Sequence, residues 1–161
     1  VDPILNIKGT YRVIPRVSLN PKEIIRYIEL GTSSLDNRIK AINKLKLAGY
    51  NVGILIAPVI LLDGYEKMYE DLLSTLSQKL CKEAKKDVFF EIIFMTYSYV
   101  HNAINKEAFT NAKYQIYDKN IMTGRGMGKY SYKSNIKNEA KNKILELMKK
   151  YFPDNKIIYI V

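Results

Sequence analysis

The spacing of apolar positions changes several times along the chain, and each change marks an element. "YRVIPRV" (11–17) is rich in β-branched residues and predicts a strand, interrupted by Pro15. Pro21 suits the first turn of a helix, and helical spacing follows through residue 30. Across 31–50, Leu35, Ile39, Ile42 and Leu45 recur on one helical face. Ser33 and Asp36 form a capping-box-like pair before them, and Gly49 sits where a helix stops. "NVGILIAP" (51–58) is apolar almost throughout, as in a strand covered on both faces. Residues 63–86 predict one amphipathic helix, with Met68, Leu72, Leu76 and Leu80 on a stripe and Cys81 inside it. "DVFFEIIFM" (87–95) is another buried strand, with Glu91 as an acid in an apolar run. Strand, helices, strand, helix, strand implies parallel βαβ units and an α/β fold.

After residue 95 the pattern loosens. "TYSYVHNAINKEAF" predicts a loop running into a short helix. Residues 113–133 read as two strand-like arms around a glycine-rich turn. Residues 134–152 form a Ser-capped helix with Ile136, Ala140, Ile144, Leu147 and Tyr151 facing inward, and 155–161 close as a strand. The natural division is 1–112, the βα units, and 113–161, the hairpin with its closing helix and strand.

Charge adds a partner to this outline. The 161 residues carry 26 Lys and Arg against 16 Asp and Glu, a formal net charge of +10. That balance favours an anionic partner such as nucleic acid, a phosphate-rich ligand or a membrane surface; a lysine-rich compositional style is the plain alternative. No apolar run is long enough to span a membrane, and there is no signal peptide, so the chain reads as cytosolic. One cysteine, Cys81, and one histidine, His101, make neither a disulfide nor a metal site. The first residue is Val and the opening starts abruptly, as in a piece of a longer protein.

Candidate chemistry gathers at strand ends, where parallel α/β sheets bind ligands. Ser18 and Asn20 follow the first strand, Ala57 and Pro58 the second, Thr96, Tyr97 and Tyr99 the third. Ser18 and Asn20 also suit helix capping. Glu91 is either a ligand contact or the partner of a buried arginine, with Arg16 the candidate. His101 is a general acid, a phosphate contact or a surface residue. "MTGRGMGKYSYK" (122–133) mixes three glycines, three cations and two tyrosines. Arg125, Lys129 and Tyr130 there suit phosphate contacts with base stacking, or else a solvated hairpin. "GRGMG" does not join a buried strand to a helix, so it is not a dinucleotide fingerprint.

"RVSLNP", "IELGTSSLDNRIKAINKLKLAGYNVGILIAPVI", "FFEIIFMTYSYVHNAINKEAF" and "MTGRGMGKYSYK", in that order, resemble the C-terminal half of the spore photoproduct lyase family. The resemblance covers essentially the whole chain. It implies the C-terminal half of a partial (β/α)6 radical S-adenosylmethionine (SAM) barrel, TIM-like, plus a β-hairpin and a C-terminal helix and strand. It implies a lyase that returns the UV thymine dimer 5-thyminyl-5,6-dihydrothymine in spore DNA to two thymines. A [4Fe-4S] cluster cleaves SAM, the resulting 5′-deoxyadenosyl radical takes a hydrogen from the dimer bridge, and a cysteine returns one.

By the same resemblance, Ser18 contacts SAM with Asn20 beside it, and the Ala57 backbone meets the adenine. Arg125 lies on the lesion-side hairpin, where the family pairs arginine with tyrosine; here Gly126 follows it, and Tyr130 and Tyr132 are the replacements to consider. Tyr97, Tyr99 and His101 lie near the lesion. The family's CxxxCxxC cluster motif and hydrogen-donating cysteine have no match, because Cys81 stands alone. The chain thus reads as the second half of such an enzyme, carrying no catalytic residue of its own, unable alone to hold the cluster or repair DNA. Two alternatives accompany this reading: a non-catalytic basic nucleic-acid-binding domain, and a radical SAM relative with another substrate. An open half-barrel also predicts weak stability or self-association.

Overall fold

The computed structural model describes residues 1–7 and 12–161. Four parallel strands, β1 (Arg16–Leu19), β2 (Gly53–Val59), β3 (Phe89–Phe94) and β7 (Ile157–Ile160), form a sheet in the order β1-β2-β3-β7. A second, antiparallel sheet holds β4 (Thr96–Ser98), β6 (Lys129–Tyr132) and β5 (Met122–Gly124), in that order. The helices are α1 (Lys22–Tyr27), α2 (Leu35–Leu47), α3 (Tyr65–Lys79), α4 (Lys82–Asp87), α5 (Tyr99–Ala108) and α6 (Ser134–Tyr151). The chain is a mixed α/β fold whose sheets both draw on residues before and after position 112.

Register explains why the central strands look apolar. Val17, Ile54, Phe90 and Ile157 align in one row across the parallel sheet, and Leu19, Ile56, Ile92 and Ile160 in another. Ile54, Ile56, Phe90 and Ile92 are buried in the core with Ile39, Ile42 and Leu45 of α2 and Leu72, Leu73 and Leu76 of α3. Each such side chain contributes about 1.5–3 kcal/mol on leaving water. Side chains alternate faces along a strand. The intervening row, Ser18, Leu55, Glu91 and Tyr159, therefore lies on the opposite face.

Glu91 proves to be an ion-pair partner of Arg16, which is exposed rather than buried as expected. Arg16 Nε donates to its Oε1 at 3.1 Å and its Oε2 at 2.9 Å. The pair raises the guanidinium pKa above its ordinary value, first through the hydrogen bond and then through the charge of Glu91. It spans from β1 to β3 across Gly53 of β2, and the guanidinium lies 5.7 Å from the Phe89 ring centroid. A β-carbon at Gly53 would stand 2.7 Å from that ring and 3.2 Å from Arg16 Cγ.

Several boundaries differ from the sequence reading. The first strand begins at Arg16, beyond Pro15, and runs through Ser18; Tyr11 lies outside the described residues. The cap of α2 is Ser34, one residue later than expected, its hydroxyl accepting from Asn37 N at 3.3 Å. The helix over 63–86 is two helices. Asn43 of α2 reaches into the break: its Oδ1 accepts from Cys81 N at 2.9 Å and its Nδ2 donates to Lys79 O at 3.0 Å. Cys81 is thus the extended residue before α4, not a helical one. Residues 96–98 form β4 where a loop was expected. The hairpin arms are shorter, with no strand over 113–121. Ser134 is the first residue of α6, and its cap, Lys133, makes no side-chain capping bond.

Candidate functional site

Three chain segments meet at the carboxyl ends of the parallel strands. Ser18 sits within β1, and its hydroxyl donates to the carbonyl of Ala57 on β2 at 3.0 Å. Two residues 39 apart in sequence are thereby joined on the face opposite the main helices. Both are half-buried, and the Ala57–Pro58 peptide is cis. Two small residues, Ser18 and Ala57, thus form the floor at this end of the strands.

Asn20 follows but faces inward. It is fully buried, its Nδ2 donating to Glu29 Oε1 at 2.6 Å. Arg38 braces the same carboxylate: its Nη2 lies 2.6 Å from Glu29 Oε2, and its Nη1 donates to the carbonyl of Ser18 at 3.1 Å. Asn20 therefore holds the strand end with its side chain rather than presenting that side chain to a ligand. Glu29 and Arg38 escaped the sequence reading because this role depends on pairings invisible to any periodicity.

The segment after β2 is pinned by two tyrosines. Ile60 N donates to Tyr69 Oη at 2.8 Å, and Leu61 N donates to Tyr132 Oη at 2.9 Å. The Tyr69 hydroxyl also lies 3.5 Å from Asn20 Oδ1. Both tyrosines are buried. Desolvation pushes the Tyr132 phenol up to about 12 and moves Tyr69 upward as well, so both stay protonated hydrogen-bonding groups at neutral pH.

The hairpin rises beside this floor. β4 continues from β3 through Met95 and pairs with β6, register Tyr97 to Tyr130. Its turn closes with Lys129 N donating to Gly126 O at 3.0 Å and Arg125 N to Lys129 O at 2.8 Å. Gly126, Met127 and Gly128 all have positive φ, at 82°, 49° and 66°. Arg125 and Lys129 are exposed, and Met127, at 98% exposure, stands at the tip between the two glycines. Tyr132 is buried on Leu61, and Tyr130 is half-buried with its ring 4.7 Å from that of Tyr117. Neither tyrosine reaches the tip. Met127 was the residue missed, although it is the one apolar residue within "GRGMG".

Tyr97, Tyr99 and His101 separate in space. Tyr97 is nearly buried, its hydroxyl accepting from Asn105 Nδ2 at 2.7 Å. Tyr99 is exposed and tied to the hairpin, its N donating to Gly128 O at 2.7 Å. His101 is exposed, and its backbone N donates to the Ser98 hydroxyl, which caps α5. Lys133 is committed elsewhere, its ammonium donating to Asn120 O at 2.7 Å.

The described residues hold no group of three or more metal-ligating side chains, and Cys81 lies between α3 and α4. A [4Fe-4S] cluster needs several thiolates, so the residues present do not fit one. No helix among them is long and apolar enough to cross a membrane.

The family profile described as spore photoproduct lyase matches residues 1–161. The spore photoproduct lyase of Bacillus subtilis (strain 168) is 29% identical over 162 residues, which cover 99% of this chain and 47% of that protein. That of Clostridium acetobutylicum is 31% identical over 166 residues, covering 100% of this chain and 48% of the relative. The chain spans about half the length of the curated relatives it matches. A solved spore photoproduct lyase complexed with dinucleoside spore photoproduct superposes with a TM-score of 0.91 at 25% identity, covering 100% of this chain and 48% of that one. A solved spore photoproduct lyase mutant with bound AdoMet and dinucleoside spore photoproduct has the same TM-score, identity and coverage.

Proposed function

The chain belongs to the spore photoproduct lyase family, and from that premise we propose that it supplies two working surfaces of a radical SAM enzyme that repairs the thymine dimer 5-thyminyl-5,6-dihydrothymine in DNA. One surface is the strand-end floor, which belongs to a partial (β/α)6 barrel and receives SAM. The other is the hairpin, which meets the lesion-bearing duplex in the spore cytoplasm. The observation that carries this reading is the junction of the two sheets. Parallel strands end on one side of their sheet, and β4, leading directly out of β3, pairs with β6, so the hairpin stands at the end where Ser18 bonds to Ala57.

Each residue then has a physical task. Ser18 and the Ala57 backbone offer polar groups to SAM, while Asn20, Glu29 and Arg38 hold Ser18 in place. SAM, if held at Ser18 and Ala57, would supply the hydrogen-abstracting chemistry. Arg125 and Lys129 neutralise backbone phosphates. Met127 enters the base stack, one residue beyond Gly126, which stands where the family has tyrosine, since apolar wedges of this kind open base steps. Opening is required because chemistry on a stacked base is out of reach. Tyr99 and His101 border the hairpin on the lesion side, and Tyr97 and Tyr130 support it from beneath.

The test uses the full-length, cluster-loaded protein on a lesion-bearing duplex. The double variant Arg125→Ala, Lys129→Ala should lose affinity and flatten the salt dependence by about one unit per phosphate contact. Ser18→Ala should weaken SAM binding and leave duplex affinity measured without SAM unchanged. An unchanged salt slope would remove the hairpin from the DNA surface. Tight duplex binding without any repair would favour a binding-only domain.

A further inference from the structure

The hairpin and the strand-end floor are connected by one chain of hydrogen bonds, buried from Tyr132 to Asn20 and part-buried from there to Ser18. Tyr132, the last residue of β6, accepts from Leu61 N at 2.9 Å. The preceding amide, Ile60 N, donates to Tyr69 Oη at 2.8 Å, and that oxygen lies 3.5 Å from Asn20 Oδ1. Asn20 continues to Glu29 at 2.6 Å, and Arg38 links Glu29 to the carbonyl of Ser18. Buried amides require partners, and leaving one unmade costs more than the bond contributes. Two consecutive amides, Ile60 and Leu61, are here satisfied by hydroxyls from separate elements, α3 and β6. A shift of β6 must therefore either carry residues 60 and 61 along or strand a buried N–H.

We propose that Tyr132 and Tyr69 are positioning residues through which the hairpin and the SAM-side strand ends communicate. A duplex that fixes β6 fixes residues 60 and 61, hence Tyr69, Asn20 and the end of β1. SAM bound at Ser18 and Ala57 acts on the hairpin through the same links in reverse, because coupling between two sites is reciprocal. The proposal rests on the assignment of SAM to the strand ends and DNA to the hairpin. It adds that the two bind interdependently and names the side chains responsible.

The test measures SAM affinity for the full-length, cluster-loaded protein without reductant, so that no turnover occurs. Titrations are run with and without a saturating lesion-bearing duplex. In the unaltered protein the two dissociation constants should differ by about fivefold or more, the lower end of measured coupling between sites. In Tyr132→Phe and in Tyr69→Phe that ratio should fall close to one while SAM affinity without DNA changes little. A merely structural role would lower both affinities and leave their ratio intact, and that result would overturn the proposal. A ratio of one in the unaltered protein would also overturn it, whether or not the variants fold. Hydrogen exchange on the unaltered protein is a second check: duplex binding must change protection at Ile60 and Leu61, and unchanged exchange there counts against the idea. Failure of SAM or duplex to bind at all would instead reject the assignment of the two surfaces.

Discussion

At the scale of single residues, Met127 shows how conformation and function pull apart. Its φ of 49° is one that side chains with a β-carbon adopt at a cost of about 1–2 kcal/mol. A glycine there would be relaxed, yet the chain keeps a large apolar side chain at 98% exposure. Met127→Gly should therefore stabilise the fold by up to about 1 kcal/mol. On the proposed wedge role, the same change should weaken binding to a lesion-bearing duplex severalfold. Calorimetric melting and a binding titration on the full-length protein check the two halves, and tighter or unchanged binding would remove Met127 from the interface. "GRGMG" announces a turn from its glycines alone, but the sequence does not say which side chain points outward. Tyr130 and Tyr132 looked equally available there, and packing on Tyr117 and Leu61 took both away from the tip.

At the scale of elements, long apolar runs were legible and short or bridged ones were not. β2 and β3 announce themselves because both of their faces are largely covered, and α2 and α6 because their stripes repeat over three or more turns. β4 is three residues whose partner strand lies more than 30 residues on, so no local period marks it. The break at Leu80 and Cys81 is fixed by Asn43, a side chain on another helix. Gly53 belongs to this scale too, since it is where three strands cross-link. Gly53→Ala drives a methyl to 2.7 Å from the Phe89 ring and 3.2 Å from Arg16, beneath the pair with Glu91. Overpacking of that kind costs about 1–3 kcal/mol. The midpoint of denaturant unfolding should fall accordingly, with the slope unchanged. A neutral result would mean that the ring and Arg16 can move aside, and that the Arg16–Glu91 pair adds little.

At the scale of the whole molecule, the parallel sheet ends in two edge strands, β1 and β7, whose outer sides pair with no strand among the described residues. Parallel sheets are normally covered on both faces, and an uncovered edge is a template for further strands. The surface agrees. Val13 and Ile14 before β1, and Ile158, Tyr159 and Val161 on and after β7, are all exposed large apolar side chains. The relatives and solved neighbours matched here are about twice as long, so in them further chain is available to meet these edges. The 161 residues expressed alone should therefore associate with one another as concentration rises, measured by sedimentation. A charge placed on the β7 edge, Ile158→Lys, should reduce that association, since charged side chains blunt exposed edges. It should leave the melting temperature nearly unchanged, because Ile158 is 43% exposed and lies outside the core. A chain that stays monomeric at every concentration, with a single cooperative melt, would show the four-stranded sheet to be self-sufficient. The strand-end floor and hairpin would then stand in a domain that folds on its own, and the SAM and duplex titrations could be run on these 161 residues directly.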